Sequence, residues 1–454
     1  MASCKTKVDT NVMKTEKKRW SSGNLEDFLS FHPAERPGWR EATIAGDISS
    51  IPSVSDMIKN IVEYEKTYEK LKKTTGKTDR KQISKYLLTK FLCNVQKEED
   101  IGVKEEGKTE DIMHILDKEC NIDEAGAKRK LSDCSTDMSQ EKKLCVEDEK
   151  HESPEFDTYS SLEDELGDCH GRISSSGDAK PSKTVLETKN LYKAYKHIAH
   201  ELNKSKTETD MYAVDSNSTE AVDDCKGVID IDSLIIHTHR ILMEGVMKEN
   251  QMPGRFSTND RKANFKGQEY WYPKFEEEIF AEEAVQTLID KVNDIMDDIR
   301  YKTVSDEEKY KLYFKCSSLF LFVFLTLHPF ADGNGRLARL LASYNLLTFS
   351  PFMTLIYNVF SSSRECDYIQ ALVDTREGLQ IPEKITAKDE ARKLTISVMR
   401  QKPCDLCSML IESNWTIWRQ LLVGLGDRSV KLFEWEVQNQ KFLSRTFEAS
   451  ESVQ

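Results

Sequence analysis

Leu327-His328-Pro329-Phe330-Ala331-Asp332-Gly333-Asn334-Gly335-Arg336-Leu337-Ala338-Arg339 follows directly on the apolar run Leu319–Leu325. That run is far short of the ~20 residues a membrane-spanning helix needs, so it predicts a buried helix. Pro329 lacks a backbone donor and ends the helix. A tight loop follows, and a second helix is expected to begin near Gly335. The arrangement suits a phosphate. Gly333 and Gly335 let the backbone approach a ligand closely. A helix N-terminus offers free N–H groups and the positive end of its dipole to an anion. Arg336 and Arg339, three apart, share one face of the new helix and reach the same oxyanions. Asp332 is a hard oxygen ligand suited to Mg²⁺ on phosphates. His328 is the one side chain here able to take a proton near neutral pH. The plainer alternative is an ordinary Gly-Asn-Gly turn after an ordinary His-Pro loop.

Outward from this stretch, Ser305-Asp306-Glu307-Glu308 has a capping-box pattern, so the apolar helix is expected over 305–327. Further helices are expected at about 274–300, 336–348 and 363–377, and upstream at 184–204 and Ile231–Met247. Arg255–Tyr272 is not helical. Phe256, Phe265, Tyr270, Trp271 and Tyr272 stand among polar and Gly positions up to Pro273, which predicts a β-hairpin turning near Lys266-Gly267. After 385 come one or two helices around Trp415–Leu422 and a polar end. The aromatics Trp415, Trp418, Phe433 and Trp435 are expected to pack on the core. Residues 54–96 carry Ile58, Ile61, Val62, Tyr64 and Tyr68 at helical spacing, followed by a second such set. They predict either a helical hairpin turning near Thr74–Thr78 or a partner-binding pair of helices.

Residues 97–182 are dominated by Lys, Glu, Asp and Ser, with Phe156 and Tyr159 as the only aromatics. Such a segment buries too little apolar area to offset its ordering entropy, so a disordered charged linker is expected. Its basic cluster Ala127–Leu131 is either solvated charge or a nuclear import signal. This linker explains why only 38% of the 454 residues are hydrophobic while 31% are charged. The balance of 65 Lys+Arg against 78 Asp+Glu leaves a net charge of −13. An acidic chain is a poor general binder of nucleic acid or anionic membrane, and neither is expected as a partner. The first twenty residues hold no apolar run, and the eleven cysteines are scattered. Reduced thiols in the cytoplasm or nucleus are therefore expected. Cys404-Asp405-Leu406-Cys407 is a lone CxxC, weak for zinc. His237 and His239 diverge by about 200° on a helix and cannot easily share a metal; His239 is read as a packing position.

His328–Arg339 resembles the signature of Fic-domain proteins, HPFx(D/E)GNGRxxR, at every defined position. Upstream, His239–Val246 followed by Pro253-Gly254-Arg255-Phe256 resembles the helix and lead-in before the Fic flap. Downstream, Arg364 and Tyr368–Leu372 resemble the closing helix of that fold. Ser257 departs from the many members that carry a second Arg there. The resemblance covers about residues 190–380. It implies a mostly α fold: a Fic-type helical domain with a small β-hairpin flap, preceded by a short helical segment and a disordered charged linker. The divisions expected are 1–96, helical from about 54; the linker 97–182; the Fic domain 183–385; and a C-terminal helical extension with a polar tail, 386–454.

The resemblance also implies an activity: a protein adenylyltransferase moving AMP from ATP to a Ser, Thr or Tyr hydroxyl of a target protein. His328 would be the general base and Asp332 would hold Mg²⁺. Gly333, Asn334 and Gly335 would form the anion hole, and Arg336 and Arg339 would hold phosphates. The flap, with Phe265, Tyr270 and Trp271 as candidates, would pin the target segment. The kinase-like branch of the family carries Lys at the position of Gly335, so the nucleotidyl-transferring branch is indicated. Relatives often form homodimers. Many carry an inhibitory (S/T)xxxE(G/N) helix whose Glu pairs with the second motif Arg. Ser216–Ala221 is the candidate here, with Glu220 facing Arg339, although Ala221 departs from the pattern. Two other readings stand beside this one: removal of AMP by the same site, and a catalytically silent Fic-fold adaptor.

Overall fold

A computed structural model describes residues 27–42, 51–118, 182–212, 228–248, 251–360 and 364–433. The protein is mostly helical. Helices α1 (Val54–Thr74) and α2 (Lys77–Glu98) form a hairpin joined at Thr75 and Gly76, and α3 spans 106–118. After α4 (Lys183–Tyr212) a π-helical turn (Ile231–His237) runs into the short α5 (Thr238–Met243). Strands β1 (Lys262–Phe265), β2 (Gln268–Trp271) and β3 (Lys274–Phe275) follow. Then come α6 (Glu278–Tyr301), α7 (Asp306–Leu327), α8 (Asn334–Leu346) and α9 (Arg364–Thr375). Strand β4 (Lys384–Ile385), α10 (Lys388–Met399) and α11 (Cys404–Gly424) complete the described chain.

The centre is α7. Ser305 caps it, its hydroxyl accepting the Glu308 N–H. Leu319 to Phe324 have no exposed surface, so every face of the helix is covered. Helices α1, α6, α8, α10 and α11 supply that cover. Among the described residues α7 is the one helix long and apolar enough to cross a membrane, but 94% of its most apolar window is buried inside the protein. Helix α11 is its second buried element: Trp415 and Trp418 lie within the core, and Tyr68 of α1 meets Trp418 edge-on at 5.8 Å.

The N-terminal part belongs to the same core. Val54, Met57, Ile58 and Ile61 of α1 are buried against it, each contributing about 1.5–3 kcal/mol of hydrophobic stabilisation. The segment before α1 is tied to α11 by a buried polar contact. Trp39 Nε1 donates to Glu412 Oε2 at 3.0 Å, and Arg40 Nε donates to Glu412 Oε1 at 2.6 Å. Arg40 also donates to the Pro52 carbonyl at 2.8 Å. Burial lifts the Glu412 carboxyl above the usual carboxylate range, against the pull of Arg40 and Trp39.

One expected boundary changes. The charged linker does not begin at 97: α3 occupies 106–118, with Ile112, Met113 and Leu116 buried. Averaging composition over the whole stretch hid this short apolar face among its Lys and Glu neighbours; residues 119–181 lie outside the described residues. The C-terminal extension packs on the core, as expected of Trp415 and Trp418: α10 packs on α6 and α11 on α7 within one hydrophobic core.

The hairpin β1–β2 pairs Ala263 with Tyr270 and Phe265 with Gln268. Its two-residue turn has Lys266 at φ 50° and Gly267 at φ 81°, the positive values a tight hairpin turn requires. A parallel pairing not foreseen from sequence, β3 with β4, holds the hairpin's base: Phe275 lies beside Ile385, both fully buried.

Candidate functional site

The site lies where α7 hands over to α8. His328 caps α7 in a left-handed conformation (φ 46°, ψ 56°), its N–H donating to the Phe324 carbonyl at 2.9 Å. This turns the imidazole against Tyr272, directly after β2; the rings stack at 3.9 Å and 13°. Burial, helped by the Arg261 cation, pushes the imidazole down to about 3, so it is neutral across ordinary pH. Tyr272 is itself held in place. Arg376 lies 5.2 Å over its ring and donates to the Trp271 carbonyl at 2.8 Å. Arg261 donates to the carbonyls of Ser257 and Pro273. Ser257, buried, donates its N–H to the Pro329 carbonyl at 2.8 Å, so the hairpin's lead-in is stitched to the motif loop.

Asn334 closes the loop. Its Oδ1 accepts the Phe330 N–H at 3.0 Å and its Nδ2 donates to the Phe330 carbonyl at 2.8 Å. The Asn334 side chain is thus engaged with the loop, while its backbone N–H stands in the first turn of α8, where helix N–H groups have no intrahelical partner. Gly333 is the N-cap residue at φ 77°, and a Cβ there would stand 2.7 Å from Met243 Sδ. Only glycine fits both the conformation and the space. Phe330 is fully buried, stacked on His239 at 3.7 Å and 9°. His239 donates from Nε2 to the Asp332 carbonyl at 2.9 Å and accepts the Gly254 N–H at Nδ1 at 2.8 Å. Burial pushes it down to about 4. His237, two residues before, turns away to meet His197 at 4.6 Å.

The charged groups face one another across the α8 N-terminus. Asp332 is exposed; its Oδ1 accepts the Gly333 N–H at 2.6 Å and faces Arg336 Nη2 at 3.3 Å. Both motif arginines are buried, and the Nε of each has no hydrogen-bond partner. Buried guanidinium donors without partners are costly unless an anion is supplied. Arg339 lies 4.6 Å over the Tyr368 ring of α9 and forms an ion pair with Glu99.

Glu99 was not anticipated. It caps the C-terminal end of α2, and its carboxylate hangs over Gly335 so closely that a Cβ there would overlap it. The loop carrying it is pinned to α2 and α4. Gly102 N–H donates to Glu187 Oε2 at 2.9 Å. Val103 N–H is shared between Gln96 Oε1 at 3.0 Å and Thr188 Oγ1 at 2.8 Å. Gln96, Glu187 and Thr188 are all buried. Glu220 lies outside the described residues; among the described residues the carboxylate that meets Arg339 is that of Glu99. On the hairpin, Phe265 and Tyr270 share one face while exposed Trp271 lies on the other with Lys262. Tyr272, Arg376 and Glu99 went unassigned from sequence. The aromatic run before Pro273 signalled the first, whereas the other two act through approach in space.

Helices of this order around a motif loop define a mostly helical domain that carries two buried arginines at the N-terminal end of α8. Residues 230–346 match the sequence model of the Fic/DOC family: the chain carries a Fic-family domain. Fic domains are generally enzymes of nucleotidyl or related transfer. A curated relative, named ribonucleoside-diphosphate reductase small chain, from Ostreid herpesvirus 1 (isolate France), is 33% identical over 121 residues, 27% of this chain. The chain spans only 20% of that relative's length. Among solved structures, a Fic domain containing signaling protein from Bacteroides thetaiotaomicron is similar with a TM-score of 0.45 at 14% identity. That match covers 80% of this chain and 96% of the other. Fic-1 from C. elegans is similar with a TM-score of 0.40 at 12% identity, covering 81% and 71%.

Proposed function

We propose that the protein is an adenylyltransferase, moving AMP from ATP to a hydroxyl side chain of a protein, and that Glu99 restrains it. The observation carrying this reading is the pair of buried arginines, Arg336 and Arg339, with unpartnered Nε donors at the N-terminus of α8. There the free N–H groups of the first turn add to the attraction for polyphosphate. The target oxygen bonds to the α-phosphorus while the bond from that phosphorus to the bridging oxygen breaks. The hydroxyl proton passes to His328, and pyrophosphate leaves with the electron pair. His328 is neutral, with Nδ1 unpartnered; burial leaves it a weak base at rest, and the negative charge of bound phosphates would raise its proton affinity for the transfer. Tyr272 holds its ring plane. The Asp332 carboxylate, exposed and among the described residues anchored through Oδ1 alone, fits a Mg²⁺ ion that would neutralise phosphate charge. The β1–β2 hairpin, close to His328 through Tyr272, supplies strand edges for the target segment.

Glu99 places a negative charge on the arginine that a terminal phosphate would use. Nucleotide must displace it, so the resting protein is expected to be slow. Incubation with α-labelled and γ-labelled ATP in parallel tests both claims. Transfer of the α-label alone, abolished by His328→Ala and raised about tenfold or more by Glu99→Gly, is the expected result; tenfold corresponds to ~1.4 kcal/mol. Transfer of the γ-label would replace the reading with a kinase-like one. The carboxylate over Gly335 also favours a second reading, hydrolytic removal of AMP, in which Glu99 orients water. Release of AMP from a premodified target, lost in Glu99→Gly, would support it.

A further inference from the structure

We infer that His239, outside the signature motif, is a positioning residue that sets the Asp332–Gly333 peptide and thereby aims the Asp332 carboxylate. The inference rests on reading the loop as a phosphate site.

Gly333 sits at φ 77°, and a glycine can exchange such a conformation for others at little cost. The peptide before it therefore needs an outside hold. His239 provides one: its Nε2 donates to the Asp332 carbonyl at 2.9 Å. Across a planar peptide the carbonyl and the following N–H point opposite ways. Fixing the carbonyl on His239 thus turns the Gly333 N–H to the other side, where it donates to Asp332 Oδ1 at 2.6 Å. Arg336 Nη2, 3.3 Å from the same oxygen, completes the hold. Oδ2 is left without a protein hydrogen bond among the described residues and so is available to a ligand.

The other ring nitrogen extends the hold to the hairpin. His239 Nδ1 accepts the Gly254 N–H at 2.8 Å. Because Nδ1 accepts, Nε2 must carry the proton, so the tautomer is set by the contacts themselves. One neutral imidazole joins the root of the flap to the motif loop, with its face against Phe330 at 3.7 Å. A residue needed only to fill this fully buried space could be Phe. The two hydrogen bonds are what Phe cannot make.

The test contrasts two replacements in the full chain carrying Glu99→Gly. His239→Phe keeps an aromatic ring on Phe330 and loses both hydrogen bonds. His239→Gln loses the ring but can accept and donate. Without nucleotide, amide hydrogen exchange over residues 331–336 and 253–256 should rise in His239→Phe and stay near the parent in His239→Gln. Calorimetry with an ATP analogue carrying a methylene between the α- and β-phosphorus, with and without Mg²⁺, gives the second readout. The Mg²⁺-dependent gain in affinity should fall about tenfold or more in His239→Phe, the usual scale for losing a supporting contact behind a metal ligand. In His239→Gln it should fall far less. Should His239→Phe fail to fold, His239→Leu against His239→Gln asks the same question without a ring in either. Unchanged exchange and an unchanged Mg²⁺ gain in His239→Phe, or a larger loss in His239→Gln than in His239→Phe, would overturn the inference. A parent that binds no nucleotide would sink the adenylyltransferase reading, while the exchange measurement would still decide the role of His239.

Discussion

Two imidazoles, His239 fully buried and His328 partly so, are held without charge, at about 4 and about 3 against an ordinary 6.5. As pH drops below about 6.5 the unfolded chain takes up these protons and the native chain does not. The unfolded state then binds more protons, so native stability falls with acidification over the window from 6.5 toward 4. Each histidine contributes up to about 1.4 kcal/mol per pH unit. Denaturant unfolding at pH 7 and pH 5 should show this loss, with a shallower slope in His239→Phe, which has no proton to take up. Equal slopes would mean that His239 titrates normally. At this scale the sequence was informative wherever chemistry is local. Asp332, Gly333, Arg336 and Arg339 stand together in one loop and one helix turn, as their spacing implied. Glu99 was hidden because nothing in Glu98-Glu99-Asp100 matches the expected (S/T)xxxE(G/N) pattern. Its pairing with Arg339 depends on α2 reaching the mouth of the site.

Among the elements, the loop after α2 determines whether Glu99 stays in place. Thr188 contributes without touching the site: Oγ1 accepts the Val103 N–H, and the hydroxyl also bonds Gln96. Thr188→Val keeps the volume and removes the hydroxyl. A lost buried hydrogen bond costs about 1–2 kcal/mol, and expressed at this loop it enlarges the Glu99-out population about five- to thirtyfold. Labelling by α-labelled ATP should therefore rise in Thr188→Val, and the additional effect of Glu99→Gly should shrink; a fully additive double mutant would disconnect the loop from the gate. The hairpin and α7 were legible because Lys-Gly between aromatic strands and an unbroken apolar run are strong local signals. Helix α3 was not, since its buried Ile112, Met113 and Leu116 are spaced too thinly within charged sequence to raise the mean hydropathy. The β3–β4 pairing was out of reach for a different reason: two residues carry no periodicity.

Across the whole molecule, the parts before and after the family-matched stretch are structural members of the same body. Arg40 and Glu412 join them, each fully or nearly buried. Removing one partner leaves a charge buried alone, which typically costs about 3–5 kcal/mol. Arg40→Ala should accordingly lower unfolding stability by that order in a denaturant titration. A loss under 1 kcal/mol would show that water reaches Glu412 readily. Composition alone suggested one packed domain and a charged linker. Helices α1, α10 and α11 join that packed body through the burial of their faces, which an average over each segment does not see.

The hairpin α1–α2 both covers α11 and delivers Glu99. On the proposed reading, lesions there have two opposed effects. A chain with a loosened hairpin loses stability and is cleared faster from the cell, yet each surviving copy has lost its restraint. Abundance and specific activity would move in opposite directions, so such variants can be dominant in effect while the protein itself becomes scarce.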